Sequence, residues 1–277
     1  MYKIVVKEDL APKIKLFELE APMLAAKAKP GQFVIIRIDE KGERFPLTIA
    51  GTDPEKGTLK IVFNEVGKST IQLGQLNQGD SIMNLVGPLG KESEIENYGT
   101  VLCFGGGVLI PSLWYLATVL KEAGNKIIGV AGARTKDLLI YVKELEEISD
   151  EFHITTDDGS EGNQGIEFLK DILEREKVDR VWVMSTAEAT MKYVSELTEP
   201  YDIKTIVSLA PIMVDGTGMC GCCRVTIGDG TEFACVDGPE FDGHQVDWNE
   251  LMSRKRNYLP EERLSSMIYE RTCCKEK

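Results

Sequence analysis

The sequence has 277 residues, enough for one large domain or two modest ones, in an ordinary globular balance of 43% hydrophobic and 28% charged residues. A formal charge of −13 argues against nucleic acid or an anionic membrane as partner, and no apolar stretch approaches a membrane span. Two histidines leave little for imidazole chemistry, while seven cysteines, four of them clustered, fit a reducing cytoplasm and a metal site better than a disulfide framework.

Met1-Tyr-Lys-Ile-Val runs directly into strand-like sequence without a signal peptide. To about residue 95, short alternating runs (Ile4–Val6, Ile14–Leu19, Phe33–Ile38, Leu59–Phe63, Ser81–Val86) are broken by turn residues at Pro30-Gly31, Asp39–Gly42, Asp53-Pro54 and Gln78–Asp80. Strands without intervening helices predict a small antiparallel β-barrel, with one helix over Ser69–Leu76. After Gly99 strands alternate with helices: Val101–Phe104, a helix over Ile110–Glu122, Ile127–Ala131, a helix over Asp137–Ile148, Phe152–Thr156, a helix over Ile166–Lys177, Val181–Met184 and a helix over Ala187–Leu197. This alternation predicts a parallel α/β sheet with Ile203–Ser208 as its last strand and nucleotide chemistry at the carboxyl ends. From Gly238 onward the chain turns polar, with helical stretches near Trp248–Lys255 and Glu261–Glu270.

Several stretches carry chemistry. Arg44-Phe45-Pro46-Leu47-Thr48 ends one strand with a cation, a stiffening proline and a hydroxyl. An arginine fork suits a pyrophosphate and a threonine suits the edge of a flat ring; an exposed arginine beside a strand threonine is the plain alternative. Gly67-Lys68-Ser69-Thr70 stands at a helix start, where free amides and the dipole favour a phosphate, or where Ser is simply an N-cap. Gly105-Gly106-Gly107 lies where a strand hands over to a helix, the usual seat of a dinucleotide pyrophosphate or else a tight turn without a ligand. Gly132-Ala-Arg134-Thr-Lys136-Asp137 suits a ribose or adenine, and Asp157-Asp158-Gly159-Ser160 lines a cleft or stands as a solvated acidic loop.

Asp215-Gly-Thr-Gly-Met-Cys220-Gly-Cys-Cys223, with Cys235 beyond a short hairpin, reads as C-x4-C-x2-C…C with aspartate in the first place. That is the spacing of a plant-type [2Fe-2S] loop. Glycines at 216, 218 and 221 suit amides that turn inward, and three soft thiolates with one hard carboxylate can hold iron. A structural zinc site or unligated buried thiols are the alternatives, and Cys222 is spare in this register.

Taken in order, these motifs resemble the ferredoxin–NADP reductase-like electron-transfer subunits over essentially residues 1–255. Two groups within that family are similar: the electron-transfer subunit of bacterial dihydroorotate dehydrogenase, and more closely the small subunit of NADH-dependent ferredoxin:NADP oxidoreductase, also described as the sulfide dehydrogenase small subunit. The second resemblance rests on Pro30–Ile38, Gly42–Ala50, Cys235–Asp242, Val246–Trp248, and Asp215 in place of the dihydroorotate subunit's first cysteine.

The resemblance implies a two-domain fold: an FAD-binding β-barrel over residues 1–97, a pyridine-nucleotide-binding α/β domain over 98–210, a [2Fe-2S] loop over 211–240 and a partner-contacting tail over 241–277. It implies FAD at Arg44, Gly67, Lys68, Ser69 and Thr70, with Pro46, Leu47 and a catalytic Thr48 at the isoalloxazine. NAD(H), with NADP(H) as the alternative, falls at Gly105, Gly106, Gly107, Arg134, Asp157, Asp158 and Gly159, and the cluster at Asp215, Cys220, Cys223 and Cys235. The implied activity is a cytoplasmic oxidoreductase subunit passing electrons from NAD(H) through FAD and the cluster to a larger, glutamate synthase small-subunit-like partner. That partner carries flavin and [4Fe-4S] clusters and leads indirectly to ferredoxin, in an electron-bifurcating complex. Three departures from the family pattern bear on this: Arg44 stands one residue further from Thr48, Leu109 replaces a glycine, and Met184–Met191 replaces a Gly-Pro segment. The last two predict weakened nucleotide binding and keep a non-catalytic relay subunit in view.

Overall fold

The alternating runs of the first third become seven strands in the computed structural model of the chain, which describes residues 1–273. They are β1 (Tyr2–Ala11), β2 (Ile14–Glu20), β3 (Phe33–Arg37), β4 (Arg44–Asp53), β5 (Thr58–Asn64), β6 (Ser81–Ile82) and β7 (Asn84–Leu89), with short helix α1 (Pro22–Ala25) after β2 and α2 (Lys68–Gln75) after β5. The antiparallel sheet runs β6-β1-β2-β5-β4-β3-β7. Its two edges, β6 and β7, are consecutive in the chain with only Met83 between them, and the Met83 amide donates to Ile38. The sheet is thereby a nearly closed barrel. Ile4, Phe17, Leu19, Val34, Ile36, Ile49, Ile61 and Phe63 fill it, and the Phe17 and Phe63 rings meet edge to face at 5.1 Å.

β3 reads as unbroken apolar sequence because both of its faces are covered. Val34 and Ile36 join the barrel core, while Phe33 and Ile35 pack outward on Cys223 and Cys235. β4 alternates: Phe45, Leu47 and Ile49 face the barrel core, so Arg44, Pro46 and Thr48 face outward. The register pairs Phe33 with Thr48 and Ile35 with Pro46.

The second module contains β8 (Thr100–Gly106), α3 (Ile110–Glu122), β9 (Lys126–Ala133), α4 (Val142–Ile148), β10 (Glu151–Thr156), β11 (Asn163–Gln164), α5 (Leu169–Arg175), β12 (Arg180–Ser185), α6 (Glu188–Thr198) and β13 (Thr205–Ser208). The hairpin β14 (Arg224–Ile227) and β15 (Gly230–Phe233) follows, then β16 (Glu240–Asp242), α7 (Trp248–Lys255) and α8 (Leu259–Cys273). The large sheet runs β11-β10-β9-β8-β12-β13-β16, parallel except for β16.

Here the structure corrects some of the expected elements. The helix expected over 137–148 is a turn at Lys136–Leu138 followed by α4, because Tyr141 takes a left-handed conformation (φ 54°) between them. The helix expected over 166–177 shrinks to α5, and β13 is not the last strand. β16 adds beside it, anchored by Phe241, which packs on both the α/β core and the cysteine cluster. α7 buries Trp248 and Leu251 in the α/β core, and α8 lies along α2, where Tyr269 donates to Gln75.

Candidate functional site

Arg44, Pro46 and Thr48 line the outward strip of β4, and β5 pairs with β4 only from Ile49 onward. That strip therefore keeps one backbone edge without a strand partner, and Pro46 adds no donor there. Further along β4, Ala50 packs beneath α3 and the Thr52 hydroxyl meets Tyr115 Oη at 3.2 Å. At the other end stands the start of α2. Gly67, not Ser69, is its N-cap residue. The Thr70 hydroxyl closes the turn by accepting from the Val66 and Gly67 amides and donating to the Gly67 carbonyl. Ser69 donates to Glu43 at 2.7 Å, and Lys68 pairs with the same carboxylate at 3.2 Å. These two donors, Ser69 first, hold the Glu43 carboxyl below the usual glutamate range. Sequence reasoning missed Glu43, whose only signal was its place before Arg44.

The strand order reverses between β8 and β12, so the crevice of an open α/β sheet falls there. The three glycines at this point do different work. A side chain on Gly105 would meet Ile110 at 3.0 Å, and one on Gly106 would strike Ser185 at 2.6 Å, so these two permit close packing within the domain. Gly107 has φ +58°, and a Cβ there would meet nothing nearer than Thr186 Oγ1 at 3.9 Å. Gly107 is thus bare backbone on an open crevice wall, the condition for close approach of a pyrophosphate. Leu109, expected to crowd this turn, packs its half-buried side chain into the core between α3 and the barrel. Arg134 is exposed beyond β9, and the loop after β10 folds back on it: the Asp157 amide donates to Ala133 and the Asp158 amide to Arg134. Asp158 accepts from the Ser160 hydroxyl and amide, while Ser160 accepts from the Lys136 amide. Asp158 therefore shapes the loop, and Gly159 (φ +71°) turns it.

The cysteine loop sits against the outer face of β3. Among the proposed donors two contacts stand out, and the Cys222 thiol also meets that of Cys220. Asp215 accepts from the Cys220 amide at 2.8 Å and from the Cys220 thiol, and the thiols of Cys223 and Cys235 contact each other. Hydrogen bonds from Cys220 and Thr217 hold the Asp215 carboxyl well below the carboxylate range. Burial pushes the Cys235 thiol up to about 12, so a thiolate there needs a compensating cation. The Gly218 amide donates to the Cys235 sulfur. Asp215 beside Cys220, Cys223 beside Cys235 and an inward amide are compatible with the donor order of a two-iron loop.

A further carboxylate ties the modules together. Glu240 accepts from Ser93 Oγ at 2.9 Å and from Trp182 Nε1 at 3.2 Å, and burial pushes its carboxyl above the usual glutamate range. Nothing in the local sequence marks it.

The model for the iron–sulfur cluster binding domain of dihydroorotate dehydrogenase B matches residues 210–247. A Thermotoga maritima relative, described as a homolog of the dihydroorotate dehydrogenase B (NAD(+)) electron transfer subunit, is 48% identical over 97% of this chain and 94% of its own length. The chain belongs to this family of electron-transfer subunits. The corresponding subunit of Desulforamulus reducens is 32% identical over 89% of the chain and 97% of its own length. A solved structure described as giving insight into flavin-based electron bifurcation by the NADH-dependent reduced ferredoxin-NADP oxidoreductase aligns with TM-score 0.91 and 48% identity, covering 99% of this chain and 98% of that one. Phthalate dioxygenase reductase shares the fold at 16% identity and TM-score 0.57 over 82% of this chain and 85% of that one. The fold is therefore that of the ferredoxin reductases, and the chain is an oxidoreductase subunit. No helix among the described residues is long and apolar enough to cross a membrane.

Proposed function

We propose that the chain is the FAD- and [2Fe-2S]-carrying small subunit of a cytoplasmic NAD(P)H-linked oxidoreductase that delivers electrons to a larger subunit. One observation carries this reading. The outward strip of β4 at Pro46–Thr48 lies one strand from Phe33 and Ile35, which seat Cys223 and Cys235, while the same strand runs on beneath α3, whose leading turn lines the nucleotide crevice. A flat ring on that strip stands between a hydride donor and a one-electron acceptor. Bound FAD supplies the conversion between two-electron and one-electron transfer, and the cluster supplies the onward carrier.

In this reading Thr48 and the unpaired edge beside Pro46 and Leu47 hydrogen-bond the ring edge. Arg44, Lys68, Ser69 and the free amides after Gly67 take the phosphates. Thr70 holds the turn that presents those amides. Gly107, flanked by Gly105 and Gly106, receives the dinucleotide pyrophosphate, with Arg134 and the Asp157–Gly159 loop at its far end. Asp215 and Cys220 hold one iron, and Cys223 and Cys235 the other. NAD(H) is the expected donor and NADP(H) the alternative. The partner is a larger flavin/[4Fe-4S] subunit resembling the glutamate synthase small subunit, contacted by residues 241–277 and leading to ferredoxin. A purely relaying subunit loses one of its two supports with Leu109 packed on the core, the replaced Gly-Pro segment at 184–191 being the other.

The chain, purified without oxygen, should carry about one FAD and one [2Fe-2S] centre visible by electron paramagnetic resonance after reduction. Cys220→Ser, Cys223→Ser or Cys235→Ser should abolish or reshape that signal and Cys222→Ser should leave it. If Cys222 proves essential while Asp215→Ala is silent, this ligand set is wrong.

A further inference from the structure

The chain is strongly acidic, yet its cations gather beside the most exposed part of the cysteine loop. Arg254-Lys255-Arg256, at the end of α7, is the one run of three consecutive cations in the sequence. Arg254 and Lys255 line a cavity of about 180 Å³ together with Arg224, Tyr258, Cys220 and Cys222. Every charged residue of that lining is a cation. Arg254 Nη2 donates to the Cys222 carbonyl and Arg224 Nη1 to the Gly221 carbonyl, so both guanidinium groups are held at the loop by backbone oxygens rather than neutralised. Lys255 is paired with Glu188, which lies outside the lining.

Exposed apolar side chains occur on the same loop and in the lining. Met219 is 87% exposed and Val214 47% on the loop itself, and Tyr258 is 57% exposed at the cavity's rim. Exposed methionine and tyrosine around arginine is the composition of a protein interface rather than of ordinary surface.

We propose that this face, with Arg224 and Arg254 at its centre, docks an acidic segment of the larger electron-accepting subunit, whose carboxylates enter the cavity beside Cys220 and Cys222. The inference rests on the electron-transfer reading above, in which the flavin lies on the β3 side of the loop and the onward acceptor approaches from the exposed side. It adds the charge that acceptor presents and the residues that meet it. An arginine buried against a partner is best compensated by a carboxylate, and in a chain of net charge −13 a lining whose charged residues are all cations is where an acidic partner meets attraction. The cavity therefore provides selectivity as well as attraction: it admits an acidic partner in one orientation.

The test uses the full chain and the purified larger subunit. Cofactor content and the paramagnetic signal are read first, since their absence from the wild-type chain would refute the cofactor reading independently of docking. The dissociation constant is then measured by sedimentation across a series of salt concentrations. Arg224→Glu and Arg254→Glu should each weaken association about tenfold or more and flatten its salt dependence, with the signal retained. Lys27→Glu, on the barrel, should change neither. Arg224 is exposed and bonds only a turn carbonyl, so its reversal remains informative if Arg254→Glu disturbs the loop. Wild-type affinity and salt slope in Arg224→Glu overturn the proposal. So does a wild-type chain that carries both cofactors yet binds no larger subunit, or an equal loss in Lys27→Glu.

Discussion

Glu43 bears directly on the phosphate site proposed at the start of α2. Its carboxylate engages Ser69 and Lys68, the side chains at the start of α2 best placed to meet a phosphate. An anionic ligand arriving there must displace it and then sit beside its charge. Glu43→Gln removes that charge and keeps a neutral acceptor, so FAD should bind up to about fivefold more tightly, the scale of an exposed charge pair. Arg44→Ala should act in the opposite sense, by roughly 1.5–3 kcal/mol, the scale of a hydrogen bond to a charged group. Titration of the FAD-stripped chain, followed by quenching of flavin fluorescence, measures both. Equal affinity in all three proteins would place the phosphates elsewhere. Arg44 and Ser69 stand out in the sequence as phosphate candidates because cations and hydroxyls suit that chemistry. The sequence hid Glu43, since an acidic residue in an acidic chain carries no such signal until the fold brings it to α2.

Elements differ in how well their sequences declared them, for a physical reason. β3 and β4 were legible because their side chains alternate or saturate according to which faces are covered, and α3 because it is buried along much of its length. β16 was not, since Glu240-Phe241-Asp242 has no strand pattern and is held by Phe241 and by contacts of its glutamate. Glu240 joins three segments: its own strand, β12 through Trp182, and the Ser93 linker from the barrel. Arg180 lies nearby but is engaged with Glu94 and with the faces of Tyr98 and Trp182, leaving neutral donors on the Glu240 carboxylate. Its folded pKa is raised, so the folded chain binds this proton more tightly than the unfolded one. The stabilisation is complete below the ordinary glutamate value of about 4.3 and is lost as pH rises through the raised folded value. Glu240→Gln should flatten that part of the curve of melting temperature against pH. If wild type and variant lose stability in parallel above about pH 4.3, the group is not protonated in the folded chain.

At the scale of the whole molecule, the proposed function needs the barrel, the cysteine loop and the α/β domain to meet around β4, and the junction with the α/β domain turns on two neighbouring residues of opposite character. The sequence pointed to Leu109 as an obstacle because it stands where the family has glycine. The fold turns that side chain inward, against the shared core of α3 and the barrel, and leaves Gly107 facing the crevice. A side chain at 107 would stand in the open space and also occupy a positive φ that costs roughly 1–2 kcal/mol for an L-residue. Gly107→Val should therefore slow reduction of the flavin by NADH on the order of tenfold or more, with flavin content unchanged. Leu109→Gly should bring no gain in reduction by either NADH or NADPH. It should instead lower stability by roughly 2–4 kcal/mol, because it empties a packed position and frees the backbone at the head of α3. Stopped-flow absorbance of the flavin, alongside thermal unfolding of the same preparations, separates the two effects. Faster reduction in Leu109→Gly would put that leucine in the nucleotide's path after all, and an unaffected Gly107→Val would move the pyrophosphate away from the β8–α3 turn.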